Sequence, residues 1–76
     1  MERLTDRRQS IEDILFKVRA MIFFRQMCRE YKNSQLGFMF SDIHLAVKGH
    51  LKRLIRIHER EHGEKLDIKV FERMMG

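Results

Sequence analysis

No proline occurs anywhere in the 76 residues, and turn-forming dipeptides such as Asn-Gly are scarce. Because proline ends or kinks a helix and such dipeptides mark tight turns, their scarcity favours long uninterrupted helices. A chain of this length forms one domain, which we place at residues 1–76. The sequence therefore predicts an all-α fold with two long helices and a short C-terminal helix.

The first helix is predicted to span about Ile11 to Tyr31, after a basic arm of residues 1–9 that we expect to be flexible. Ser10 is a typical N-cap residue, and acidic residues follow it in the first turn. Apolar side chains then occupy two nearly opposite faces of the helix, whereas a surface helix has a single apolar stripe. One face consists of Ile11, Ile14, Leu15, Val18, Met21 and Ile22, and the other of Phe16, Ala20, Phe23, Phe24, Met27 and Tyr31.

Both apolar faces need cover, since soluble monomers rarely expose large apolar patches. The rest of so short a chain covers one face, and a second copy of the chain is the simplest cover for the other. We therefore expect a homodimer, either intertwined or side by side. Its expected interface residues are Phe16, Phe23, Phe24, Met27 and Tyr31. The alternative is that the remaining chain wraps both faces of the first helix.

The second helix is predicted to begin at Ser41 as its N-cap, after a turn over residues 32–37 and the apolar segment 38–40. Gly63 is expected just beyond its C-terminus, where a residue in the left-handed conformation closes many helices. His50 falls among apolar residues on the helix wheel, and we expect it to be an interior or interface histidine.

Residues 66–71 of the C-terminal segment suit two structures. Alternating apolar residues favour a short strand. Alternatively, Asp67 begins a short helix that groups the apolar side chains of Val70, Phe71, Met74 and Met75. The helix is preferred, because the sequence offers no second strand for pairing.

The segment from His58 to His62 matches the His-Glu-x-x-His pattern of zinc peptidases, in which two histidines one turn apart bind the metal. Its context argues against a catalytic site, because charged residues stand between the histidines and Gly63 ends the helix directly afterwards. No third ligand is well placed. We expect no cofactor, no metal and no enzymatic activity, with His58 and His62 as the only candidate metal ligands.

Positive charge is in excess, with 16 Lys and Arg residues against 11 Asp and Glu residues. A row of basic residues lies on the second helix opposite its apolar stripe, and such a row can follow phosphates and release their counterions. Its members are Lys48, Lys52, Arg53, Arg56 and Arg60. The row predicts a small nucleic-acid-binding or regulatory protein that contacts the phosphate backbone of DNA or RNA, with Arg3, Arg7 and Arg8 adding charge. An ordinary solvated face is the simpler interpretation of the same row.

The alternative function is a protein-interaction adaptor or inhibitor that docks through its Phe/Met-rich helical surface. The single cysteine, Cys28, fits a reducing compartment, and the N-terminus lacks the apolar core of a signal peptide. The most apolar stretch, residues 14–28, carries three basic residues and is shorter than the roughly 20 residues of a membrane span. We therefore expect a cytoplasmic protein, or a nuclear one in a eukaryote, that is neither secreted nor bound to membranes.

Overall fold

The computed structural model describes residues 6–75, which form three α-helices and no strand. Helix α1 spans Arg7–Glu30, α2 spans Gln35–His62 and α3 spans Ile68–Met75. The two long helices pack as an antiparallel hairpin, and α3 folds back against α1. This confirms the predicted all-α architecture for the described residues. Among these residues, no helix is both long enough and apolar enough to cross a membrane.

Both long helices begin earlier than predicted. Asp6, not Ser10, is the N-cap of α1, and its carboxylate accepts a hydrogen bond of 3.0 Å from the backbone N–H two residues further on. Ser34, not Ser41, is the N-cap of α2, and its hydroxyl accepts a backbone N–H at 3.2 Å. The residues between each pair of caps tolerate helical geometry, and every residue that extends a helix adds a backbone hydrogen bond.

The basic arm predicted over residues 1–9 falls partly outside the described residues and partly within α1. Residues 1–5, which include Arg3, lie outside the described residues. The remainder forms the N-cap and first turn of α1. Arg7 is held there by an ion pair with Glu64, with 2.6 Å between Nε and Oε1. Residues 6–9 therefore belong to α1 and its cap, not to an arm that precedes the helix.

The C-terminal elements agree with the sequence. Gly63 follows α2 in the left-handed conformation, with φ of 66°, and donates its N–H to the Glu59 carbonyl at 2.9 Å. Glycine suits this position because it has no Cβ to strain. Asp67 precedes α3 and accepts the Lys69 N–H at 2.9 Å through its carboxylate. The helical alternative for the last segment is confirmed.

The core lies between the first apolar face of α1, one side of α2 and a single ring of α3. Its buried apolar members are Ile14, Val18, Met21, Leu51, Ile55 and Phe71. Burying a side chain of this kind contributes about 1.5–3 kcal/mol, so six of them form a small core. Loss of any one is therefore a large fraction of the fold's stability.

His50 is exposed, which makes the expectation of an interior histidine at this position wrong. The buried histidine is His58, which is fully inaccessible to solvent. The inner side of α2 is marked by Leu51, Ile55 and His58, at intervals of four and three residues. His50 immediately precedes Leu51 and so lies about 100° around the helix from it, outside the contact with α1.

Candidate functional site

An open groove of about 720 Å³ lies beside α2, where α3 and the loop before it fold back; it is termed the α2–α3 groove. Basic side chains from all three helices line it: Arg25, Lys48, Lys52, Arg56 and Lys69. Its apolar floor consists of Ile55, Leu66 and Ile68, which belong to the core or pack against it. Three carboxylates complete the lining, those of Glu59, Asp67 and Glu72.

The structure divides the predicted phosphate-contacting row into two groups. Lys48, Lys52 and Arg56 line the α2–α3 groove, whereas Arg53 and Arg60 lie exposed on α2 outside it. None of the five forms an ion pair with any residue in the described range 6–75. Their charges are therefore not neutralised by close contact within this part of the chain.

The carboxylates of the groove are already bonded within the chain. Glu72 accepts a hydrogen bond from Arg25, with 2.8 Å between Oε1 and Nη2. Glu59 and Asp67 accept backbone N–H groups of the segment after α2, at 3.0 and 2.9 Å. These acids thus fasten the loop and α3, while the other basic residues of the groove remain available to an external anion.

Sequence reasoning missed Arg25 and Lys69 as members of the basic site. Each comes from a helix other than α2, so no spacing along α2 indicates them. The available signal was the amphipathic character of α3, because burial of Phe71 forces this helix to fold back and brings Lys69 to the groove.

The basic residues of the groove also affect the side chain of His44 on α2. The pKa of His44 is lowered from its ordinary value of 6.5, first by burial and then by the charges of Arg25 and Lys48. Its Nε2 is buried without a hydrogen-bond partner among residues 6–75. Both the burial and the neighbouring cations favour a neutral His44 side chain.

A buried polar chain joins the start of α1 to the end of α2. His58 Nδ1 lies 2.8 Å from Ser10 Oγ, and its Nε2 lies 2.9 Å from Glu64 Oε2. The ring can donate Nε2–H to Glu64, and Nδ1 pairs with the Ser10 hydroxyl, so every member of the chain has a partner. Serine, histidine and carboxylate follow each other here as in a hydrolytic triad. However, Ser10 is only 7% exposed and His58 is 0% exposed, so a substrate has no access to the hydroxyl.

The His-Glu-x-x-His residues are likewise engaged in structural contacts. Both ring nitrogens of His58 are within hydrogen-bond distance of the partners just described, and Glu59 accepts a backbone N–H of the following loop. The His62 ring packs on the His58 ring at a centroid distance of 4.7 Å. No group of three or more potential metal ligands occurs within the described part of the chain. The motif therefore fastens the end of α2 to the segment that follows it.

The second apolar face of α1 points away from the core. Phe16 is 67% exposed, Phe23 is 50% exposed and Tyr31 is 41% exposed. Phe40 of α2 covers part of this face, at centroid distances of 6.1 Å from Phe24 and 5.7 Å from Tyr31. The aromatic surface is defined here as Phe16, Ala20, Phe23, Phe24, Met27, Tyr31 and Phe40. Three of the five expected interface residues are thus exposed on the surface of the chain.

A second groove, of about 550 Å³, opens within the aromatic surface. It surrounds the small side chain of Ala20, and its other lining residues are Phe16, Lys17, Arg19, Phe23, Phe24 and Val47. The surface therefore combines projecting rings with a depression of similar chemistry.

Comparisons with protein-family models, with curated proteins and with solved structures find no match to this chain.

Proposed function

We propose that this protein binds nucleic acid through the basic side of α2 and contacts mainly the phosphate backbone. The observation that supports this most directly is the lack of ion-pair partners, among residues 6–75, for all five predicted contact residues. Unpaired cations gain most from a polyanion, because each phosphate contact releases a condensed counterion. Such a role is regulatory or architectural and requires no catalytic group. It fits the cytoplasm or nucleus, where nucleic acids are present.

The spacing along α2 suits a phosphate backbone. Lys48, Lys52, Arg56 and Arg60 follow one another at four-residue intervals, which places them about 6 Å apart over about 18 Å of helix. Neighbouring phosphates along a strand are separated by a similar distance. The core side of α2 is occupied by Leu51 and Ile55, so the charged groups have no packing duty beyond their stems.

We further propose that the protein acts as a homodimer through the aromatic surface. A two-fold symmetric interface must be complementary to itself, and this surface offers both projecting rings and the depression around Ala20. The three most exposed rings of its α1 face present roughly 250–400 Å² in total, which is already a large patch for a monomer. A stable interface needs about 800 Å² per partner, so the neighbouring residues must also take part. Dimerisation would double the basic row.

A second candidate function is that of a protein-interaction adaptor or inhibitor. It is supported by Phe38 and Met39, which are 71% and 57% exposed near the hairpin turn and extend the apolar surface. Methionine and aromatic side chains adapt well to a partner helix in a groove. Such docking depends weakly on salt, whereas binding to phosphates weakens steeply as salt rises.

The proposed function is tested by titrating labelled DNA and RNA with the protein at low and at moderate salt. The variant Lys52→Glu with Arg56→Glu should retain its fold, because exposed substitutions usually change stability by about 0.5 kcal/mol or less each. Its affinity should fall strongly and its salt dependence should become shallower. The matched control, Arg29→Glu with Lys32→Glu, makes the same charge change near the hairpin turn and should retain more affinity. Failure of the parent to bind either polymer at low salt would contradict the proposal.

A further inference from the structure

On the basis of the proposed nucleic-acid function, we infer that the ligand is a single strand lying in the α2–α3 groove. Lys48, Lys52 and Arg56 on one side and Lys69 on the other contact its phosphates. The contact set of the proposed function is thereby narrowed, because Arg53 and Arg60 lie on the same helix but outside the groove and make no contact with the strand.

The position of the cations around a concavity carries this inference. Three basic residues of α2 and Lys69 of α3 line one groove, so a backbone within it meets positive charge from two helices. A single strand is narrow and flexible enough to follow this concavity along its length, whereas the broad convex cylinder of a duplex matches the exposed outer side of α2 better. A positively charged groove that tracks one backbone is the usual design of single-strand binders.

The chemistry of the groove floor agrees with a single strand. Leu66 and Ile68, which are partly exposed, offer apolar contact to the sugar and base faces that a single strand exposes and a duplex keeps stacked. No aromatic ring lines this groove within the described residues, so base stacking on the protein is not part of the contact. Apolar contact of this kind is tolerant of base identity, and we therefore expect weak sequence preference.

The three carboxylates of the groove do not cancel its charge. Each accepts a hydrogen bond from within the chain, from Arg25 in one case and from backbone N–H groups in the other two. The four remaining cations have no ion-pair partner in the described residues. The acids also constrain the loop and α3, which fixes Lys69 beside the groove before a ligand arrives.

The test compares two charge reversals of equal size. The groove variant carries Lys52→Glu and Lys69→Glu, and the outer variant carries Arg53→Glu and Arg60→Glu. Both pairs lower the net charge of +5 by the same amount, so long-range attraction is matched. Binding is measured by fluorescence anisotropy over a salt series, with a labelled single strand of about 16 nucleotides and the duplex of the same sequence. Circular dichroism on heating establishes that both variants are folded.

The parent should bind the single strand more tightly than the duplex. The groove variant should lose affinity for the single strand by roughly tenfold or more, and its salt slope should fall by about 0.7 for each lost contact. The outer variant should lose no more than about threefold. If the groove variant does not fold, Lys69→Gln is compared with Arg53→Gln in the same assay, with the same direction expected.

Two results would overturn the inference while leaving the proposed function intact. One is an equal loss of affinity in the outer variant, and the other is equal or tighter binding of the duplex by the parent. A parent that binds neither form at low salt would contradict both the inference and the proposed function.

Discussion

The Arg25 guanidinium donates a hydrogen bond of 2.8 Å to the Glu72 carboxylate and thereby joins α1 to α3. The neighbouring Phe71 ring is buried in the core, with 9% of its surface exposed. Phe71 and Glu72 thus attach α3, a helix of only eight residues, to the rest of the fold. This helix supplies Lys69 to the α2–α3 groove. The strength of the attachment therefore matters for the proposed site.

Burial of Phe71, more than the ion pair of Glu72, should hold α3 in place. Removal of a buried ring costs about 3–5 kcal/mol, whereas a partly exposed ion pair contributes about 0.2–1 kcal/mol. We expect Phe71→Ala to detach α3 and lower the midpoint of urea unfolding clearly, and Glu72→Gln to lower it slightly. Val70→Ala on the exposed side of the same helix is the control and should change little. Equal effects of Phe71→Ala and Val70→Ala would show that α3 is not docked as described.

The buried polar chain should make Ser10 important for stability. Ser10→Ala removes the partner of His58 Nδ1 in a solvent-free site, which costs about 1–3 kcal/mol. The control is Ser41→Ala, at a half-buried position of α2 where the hydroxyl bonds to no other described residue. It should be neutral or slightly stabilising, because alanine favours the helix. Unfolding in urea measures both variants, and equal midpoints would contradict a role for the Ser10 bond.

Glu64 should make stability fall at acid pH. Hydrogen bonds from His58 and then from Arg7 lower the pKa of its carboxyl group below the ordinary value of 4.5. The unfolded chain therefore takes up this proton first as pH falls, so the contribution of Glu64 is complete above about pH 4.5 and is lost through its lower folded pKa.

The matching measurement compares the parent with Glu64→Gln from about pH 7 to about pH 3. The parent should be more stable at neutral pH, and the two urea midpoints should converge as pH falls, because a protonated Glu64 resembles glutamine. Glu12→Gln, at the exposed pair with Arg8, should show a smaller difference at every pH. A difference for Glu64→Gln that does not change with pH would contradict the prediction.

The aromatic surface should determine the oligomeric state. Phe16→Asp places a charge on its most exposed ring position and should convert a dimer to a folded monomer in sedimentation experiments. Leu45→Asp is a matched change at a residue that is 62% exposed on α2 outside this surface, and it should leave the dimer intact. A parent protein that sediments as a stable folded monomer at micromolar concentration would refute the dimer.

Local signals in the sequence were sufficient for part of the fold. The end of α2 was predictable because Gly63 has no Cβ and adopts the left-handed conformation without strain. The start of α3 was predictable because the side chain of Asp67 can itself cap a helix. The starts of the long helices were not, because Asp6 and Ser10 are both good caps and only the packing of the first turn distinguishes them. Ser10 is buried against His58, and a buried side chain 48 residues distant cannot be inferred from local spacing.

The candidate site shows the same limit. The basic residues of α2 were found from their helical spacing, but the separation of Lys52 from Arg53 depends on where α3 lies. Lys69 joins the site through the fold-back of α3, which the apolar pattern around Phe71 indicates but whose direction depends on long-range packing. The presence of a second, outward apolar face on α1 was predictable, because the helix has more apolar residues than a single apolar stripe requires.

The bond between Ser10 and His58 has a consequence for the register of the helical hairpin. Apolar side chains can pack in more than one alignment, whereas a hydrogen bond tolerates only a narrow range of distances and angles. If α1 slid along α2 by one turn, about 5.4 Å, His58 Nδ1 would lose its Ser10 partner and Glu64 would lose its bond from Arg7. The polar chain therefore fixes the position of the aromatic surface of α1 along the hairpin relative to the basic residues of α2. Ser10, His58 and Glu64 themselves belong to neither surface.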